Sequence, residues 1–233
     1  TEFDDNRQAI INPEDLNEPL EGFPKIAVSC FSRSTFQRML EIFPHELIYE
    51  TSMANVAIPI YKLVIDEQEL ALFNAPVGAS ACVAILEDIF ALGTDKLVLF
   101  GTCGVLDEDI KETSIIIPSH ALRDEGTSFH YVEASDEIAV NVGVLDCFRS
   151  YLNERQIPHK EGKVWTTDGI YRETSAKLKA RKAAGAICVD MECSAVAALA
   201  AFRDFNLMNH MDLDEKDKVA LLALEFACDW SKP

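Results

Sequence analysis

No apolar run in this sequence approaches the roughly 20 residues that a membrane-spanning helix needs, so no membrane partner is expected. Positive charge is scarce: 21 Lys and Arg stand against 39 Asp and Glu, a formal net charge of −18. Nucleic-acid polymers are bound by neutralising phosphates with Lys and Arg. The composition therefore excludes such a polymer as partner, and a phosphate-bearing substrate would need a local positive site. Metal-ligand spacing is also missing. The cysteines, Cys30, Cys82, Cys103, Cys147, Cys188, Cys193 and Cys228, are odd in number and form no CxxC or Cys/His pattern. They read as reduced core thiols, with neither a disulfide framework nor a metal site. Internal repeats and low-complexity tracts are absent too. The first 24 residues carry neither the basic start nor the apolar stretch of a signal peptide, which makes the cytoplasm the expected location.

What the chain does have is apolar content, 48% of 233 residues, enough for a substantial core. Residues 1–24 read as an extended lead-in, punctuated by Asn12-Pro13, Pro19 and the Gly22 to Pro24 stretch. From residue 25 to 233 strands and helices alternate. Lys25 to Cys30, Lys96 to Phe100, Thr113 to Pro118, Gly162 to Thr167 and Ala186 to Val189 read as buried strands. Residues 46–74 read as several short strands with a turn at Asp66-Glu67. Helices are predicted from a Ser34 cap to Ile42, from Gly78 to Leu92 with a stop at Gly93, and over most of Asp136 to Arg155. Others are predicted over Glu173 to Ala184, from Asp190 to Phe202, and from an Asp214 cap to Ala227. The alternation predicts a single α/β domain with a mixed central β-sheet flanked by helices.

Four segments carry chemistry, and each follows a predicted strand, where ligands of open α/β sheets tend to bind. Gly101-Thr102-Cys103-Gly104 can form an anion-binding nest of backbone N–H groups, or simply a tight turn. Arg123 to Ser128, with His130, is either an exposed functional loop or an internally salt-bridged turn. Ile170-Tyr171-Arg172 offers a flat ring and donors to a heterocyclic base; the alternative is helix capping by Asp168 or pairing of Arg172 with a nearby acid. Asp190-Met191-Glu192 opens a helix of small apolar residues. Glu192 is there either a first-turn acid favoured by the helix dipole or an acceptor for a sugar's adjacent hydroxyls, with Met191 as soft apolar contact.

In this order and spacing, GTCG, RDEGTSFHY and DMECSA resemble the nucleoside phosphorylase family that includes uridine phosphorylase and the hexameric purine nucleoside phosphorylases. The resemblance runs from about Lys25 to Phe202. It implies that phosphate is a co-substrate, without a further cofactor, held at Gly101 and Thr102. It implies that Met191 and Glu192 hold the ribose, Glu192 accepting from the 2′- and 3′-hydroxyls with Thr102 close by. Ile170, Tyr171 and Arg172 would lie along the base, and Glu192 and Thr102 would be the catalytic pair. Uridine is placed slightly ahead of purine nucleosides, because Arg172 could meet a pyrimidine carbonyl. The family also implies a homo-oligomer of two, three or six chains.

Three departures from the family pattern stand out. The glycine-led loop with an Arg that normally follows the first strand is here Cys30-Phe31-Ser32-Arg33-Ser34. The Arg usual just before the Gly-Thr segment is replaced by Leu99. Loss of two guanidinium groups removes the strongest bidentate phosphate ligands, and Arg33 and Arg123, or Arg38, are the candidates left. Finally, Phe202 to Leu207 runs almost at once towards the terminal helix without a strand-length apolar run. A core strand and its loop are expected to be missing, more from the sequence at hand than by true deletion, and no base-protonating Asp is assigned. Two further readings remain open: a hydrolytic nucleosidase of the same fold, and a nucleoside-binding protein without catalysis.

Overall fold

The structure, a computed structural model, describes residues 3–110, 115–212 and 216–231. Its strands are β1 (Ile26–Cys30), β2 (His45–Met53), β3 (Val56–Ile65), β4 (Gln68–Asn74), β5 (Lys96–Thr102), β6 (Gly104–Val105), β7 (Ile115–Asp124), β8 (Glu137–Ala139), β9 (His159–Thr167), β10 (Ala186–Asp190) and β11 (Asn206–Asp212). The helices are α1 (Pro13–Leu16), α2 (Arg33–Ile42), α3 (Ala79–Leu92), α4 (Leu145–Glu154), α5 (Ser175–Ala183), α6 (Cys193–Arg203) and α7 (Lys216–Ser231). The strands form one mixed sheet in the order β2-β3-β4-β1-β5-β11-β7-β9-β10-β6, with β8 paired to β7.

The strands read as continuous apolar runs because both faces of the sheet are covered. On β5, Leu97 and Leu99 face a core shared with α3 and α6. Val98 and Phe100, on the opposite face, pack into a second core with α2, α4 and α7. The period-2 alternation of side chains sends neighbours to opposite layers, so each layer draws its residues from the same strands. The turn read at Asp66-Glu67 joins β3 to β4, and both residues take the left-handed conformation (φ 48° and 64°) that a tight two-residue hairpin demands.

The lead-in holds one regular element, the single turn α1, with Asn12 and Asp15 in a reciprocal cap and Pro at its start. Asn17 then bonds Asp88 of α3 at 2.7 Å, and the Leu20 N–H bonds the Leu92 carbonyl at 3.0 Å. The lead-in thus runs along the helix it precedes.

Three expectations are corrected. Ser32, and not Ser34, caps α2, its hydroxyl accepting from the Thr35 N–H. Residues 136–155 are not one helix. They form β8, a loop in which Asn141 (φ 55°) and Gly143 (φ 80°) are left-handed, and only then α4. The apolar spacing of Ile138, Val142 and Leu145 imitated a helical stripe across that loop. Finally, no strand is lacking after α6: β11 lies in the middle of the sheet, parallel to β5 along seven residues. Asn209 and His210 concealed it, since neither is apolar although both are buried. The first residues of the strand expected from Thr113, and the cap expected at Asp214, lie outside the described residues.

Candidate active site

The four polar segments converge because of how the sheet is threaded. Strands β7, β9 and β10 are mutually parallel, so Asp124, Thr167 and Asp190 end at one edge, with Asp124 opposite Thr167 and Thr166 opposite Asp190. Strand β5 runs on through Cys103 into β6, which pairs antiparallel with the end of β10, Gly104 opposite Val189. The hook that continues β5 therefore pairs with the strand that leads into Met191 and Glu192.

Hydrogen bonds lock this edge together. Asp190 accepts from the Thr166 hydroxyl at 2.7 Å, from the Cys193 N–H at 2.7 Å and from the Glu192 N–H at 3.1 Å. The Thr166 oxygen also accepts from the Ser194 N–H at 3.1 Å, and the Ser194 hydroxyl donates to Glu125 at 2.9 Å. Gly126 N–H reaches Asp168 at 3.0 Å. Glu192 is buried, and its Oε1 accepts the N–H of Gly78, the residue that opens α3, at 2.6 Å.

Burial and the neighbouring charge of Asp190 push the Glu192 carboxyl up to about 8, against the pull of the Gly78 and Met191 N–H groups. Burial likewise raises Asp190 to about 6, although the Thr166 hydroxyl and two N–H groups draw it down. Asp124 goes the other way. Burial opposes its ionisation, but Lys177, the Trp165 N–H and Arg181 together outweigh that and hold it low.

Beside the Thr102 end lies a cavity of about 210 Å³ lined by Cys30, Phe31, Ser32, Thr35, Val77, Phe100, Gly101, Thr102 and Asp212. Val77 joins it to Gly78, and so to Glu192. Gly101 is closely covered: a Cβ on it would lie 2.7 Å from the Phe31 ring. No Lys or Arg is among the described lining residues, whereas Asp212 is. Asp212 stands opposite Thr102 in the β5–β11 register. Sequence reading passed over it because the strand that carries it went unread. Its one signal was an acid closing a segment in which polar and apolar residues mix.

The other candidates are placed as follows. Arg123 is buried and turned inward, donating to Ser128 and Ser135 and to the carbonyls of Val132 and Glu133, with its guanidinium over Phe129. Arg33 is exposed at the first turn of α2, next to the cavity-lining Ser32. Arg38 pairs with Asp217. Leu99 is fully buried in the core. Ile170, Tyr171 and Arg172 form a short 3-10 turn after β9, and Tyr171 is 94% exposed. The structure thus places Gly101 and Thr102 in one cavity wall with Val77, and bonds Glu192 to Gly78, the residue after Val77; it leaves the 170–172 tip open to solvent.

A family model, the phosphorylase superfamily, matches residues 25–209. The chain belongs to that superfamily. A purine nucleoside phosphorylase of the DeoD type from Brevibacillus brevis is 32% identical over 110 residues, 47% of each chain. The aligned part spans about half the length of such relatives. The superfamily fold is shared with uridine phosphorylase from Vibrio fischeri, at TM-score 0.81 and 17% identity over 95% of this chain and 99% of that one. It is shared as well with AMP nucleosidase from Bacteroides thetaiotaomicron, at TM-score 0.77 and 16% identity over 91% and 90%.

Proposed function

We propose that this chain cleaves the N-glycosidic bond of a nucleoside, with inorganic phosphate as co-substrate, to give the free base and ribose 1-phosphate. The observation that supports the proposal is the pairing of β6, the continuation of β5, with β10: Thr102 lines a cavity with Val77, and the buried Glu192 accepts the N–H of Gly78 next to it. Met191 and Glu192 hold the ribose, and Gly101, Thr102 and Arg33 face the phosphate. Arg123 serves the phosphate only if it leaves its four internal acceptors. Ile170, Tyr171 and Arg172 border the base, and Arg172 gives uridine its slight preference over purine nucleosides.

As the bond from the anomeric carbon to the base nitrogen lengthens, its electron pair leaves with the base and positive charge grows on the sugar ring. Ionised Glu192 anchors the hydroxyls of that ring and stabilises the growing charge. A phosphate oxygen then bonds to the anomeric carbon, and the departing base takes up one proton, balanced by the one that phosphate gives up.

One specific observation favours a second reading, hydrolysis with water as nucleophile. The Phe31 ring covers Gly101, and the cavity wall has no described cation and one carboxylate, Asp212. A buried anion without a cationic partner is costly to hold, whereas a neutral water is not. The AMP nucleosidase neighbour shares the fold.

Incubation with uridine, inosine and adenosine, with and without phosphate, separates the readings through the sugar product. Ribose 1-phosphate formed only with phosphate supports the proposal. Free ribose formed without phosphate transfers it to the hydrolytic reading. Binding without turnover leaves a nucleoside-binding protein. Glu192→Ala should abolish turnover, a loss of at least about 100-fold, with an unchanged circular dichroism spectrum. Near-normal turnover in that variant would move the ribose site elsewhere.

A further inference from the structure

We infer that Asp190 is a positioning residue: it fixes the turn that aims Met191 and Glu192, and it keeps the negative charge of the Asp190–Glu192 pair, leaving the pair's proton on Glu192. The inference rests on the proposed role of Glu192 at the ribose and adds to it the state in which that carboxyl waits for substrate.

The geometry separates the two acids. Asp190 Oδ2 accepts the backbone N–H groups of Glu192 and Cys193, two and three residues on, and so closes the loop between β10 and α6 on itself. Its Oδ1 accepts the Thr166 hydroxyl. Thr166 is oriented in turn, because its oxygen already accepts the Ser194 N–H. Three donors therefore point into Asp190, and two of them belong to the start of α6, the positive end of the helix dipole. A carboxylate so surrounded gains nothing from a proton of its own.

Glu192 is less well provided. It has the N–H groups of Gly78 and Met191, and it faces the charges of Asp190 and Asp168 and the buried thiols of Cys82 and Cys193. The charged groups that act on it most strongly are both carboxylates. Neighbouring carboxyls ionise in turn, each charge raising the cost of the next, and the last proton stays on the acid with fewer donors. The order of the two groups, Asp190 at about 6 and Glu192 at about 8, agrees. Since Glu192 must accept from sugar hydroxyls, it must lose that proton before or during binding, and kcat/KM should rise with pH.

Asp190→Asn tests this without dismantling the turn. The amide oxygen can replace Oδ2 as acceptor for both N–H groups, and the amide nitrogen can donate to Thr166, whose oxygen has a second lone pair. The titration of Glu192 is followed by carbon NMR of the side-chain carboxyls, assigned by the signal lost in Glu192→Gln. In the unaltered protein one Glu carboxyl should titrate near neutral pH or above. In Asp190→Asn its midpoint should fall by about one pH unit or more, and the rise of kcat/KM with pH should move down by the same amount. Asp190→Ala, which removes the turn as well, should raise KM for the nucleoside about tenfold or more.

A purely structural Asp190 would leave both midpoints where they are, and that outcome overturns the inference. It is also overturned if Glu192 in the unaltered protein titrates in the ordinary carboxylate range, a measurement that needs no variant at position 190. A shifted NMR midpoint in a protein that turns over no nucleoside would uphold the Asp190–Glu192 pairing and refute the ribose reading. Normal turnover with an unmoved midpoint would do the reverse.

Discussion

His210 shows how a single residue carries a cost for the fold. It is fully buried on β11, with its ring near-parallel to Phe100 and Phe148 at centroid distances of 5.8 and 5.1 Å. Neither ring nitrogen has a hydrogen-bond partner among the described residues. Burial drives its basicity down to about 3, from an ordinary value of 6.5. The folded state binds a proton at this ring less readily than the unfolded chain does. Its stability is therefore intact above about 6.5 and declines as pH falls towards 3. His210→Leu removes both the unsatisfied nitrogens and the acid sensitivity. We expect it to raise stability by about 1–3 kcal/mol at neutral pH and to shift acid unfolding to lower pH, both read by denaturant titration across pH. Acid unfolding at an unchanged pH would show that other groups control it. Met191 and Glu192 could be picked out in the sequence because a carboxylate at the start of a small-residue helix is conspicuous. The raised affinity of Glu192 for its proton could not, because it depends on burial and on Asp190 and Asp168 closing around it.

At the scale of elements, β11 is the instructive case. It shares seven registered pairs with β5 but only one, Met211 opposite Ile116, with β7. Asn141 makes up much of the missing ladder. Its side-chain amide donates to the carbonyls of Pro118 (3.0 Å) and Asn209 (2.8 Å), and its oxygen accepts the Asn209 N–H at 2.6 Å. A buried side chain thus stands in for a stretch of strand pairing. Asn141→Ala should destabilise the protein by about 3 kcal/mol or more, since it strands buried backbone groups. A loss below about 1 kcal/mol would mean that water or a backbone shift satisfies them. The strands β1, β3, β4 and β5 were readable because they bury apolar side chains on both faces. The element at 206–212 was not, because its buried polar residues are satisfied or tolerated only by partners distant in sequence, Asn141 above all. For the same reason the β8 loop was mistaken for helix: apolar spacing does not reveal that Asn141 turns left-handed to reach β11.

The whole molecule carries a net charge of −18, which would repel an anionic co-substrate unless the site supplied a local attraction. Among the described residues no helix is long and apolar enough to cross a membrane. The 170–172 tip bordering the proposed base site is open, with Tyr171 94% and Ile170 55% exposed, and Val142 is another exposed apolar side chain at 76%. We propose that the chain works as a homo-oligomer. Light scattering coupled to size exclusion should return at least two chains per particle, and Tyr171→Asp should weaken nucleoside binding. A fully active monomer would refute the assembly.

The sequence by itself determined the alternation of strands and helices, the single mixed α/β domain and the superfamily, because those follow from local apolar patterning and from short segments in a fixed order. Tertiary structure alone decided which of the polar segments meet. The β6 hook pairs with the end of β10, Phe31 comes to rest on Gly101, and Arg123 turns inward to four acceptors. These are outcomes of packing among residues far apart in the chain, where burial and neighbouring charge set both the position of a side chain and its protonation.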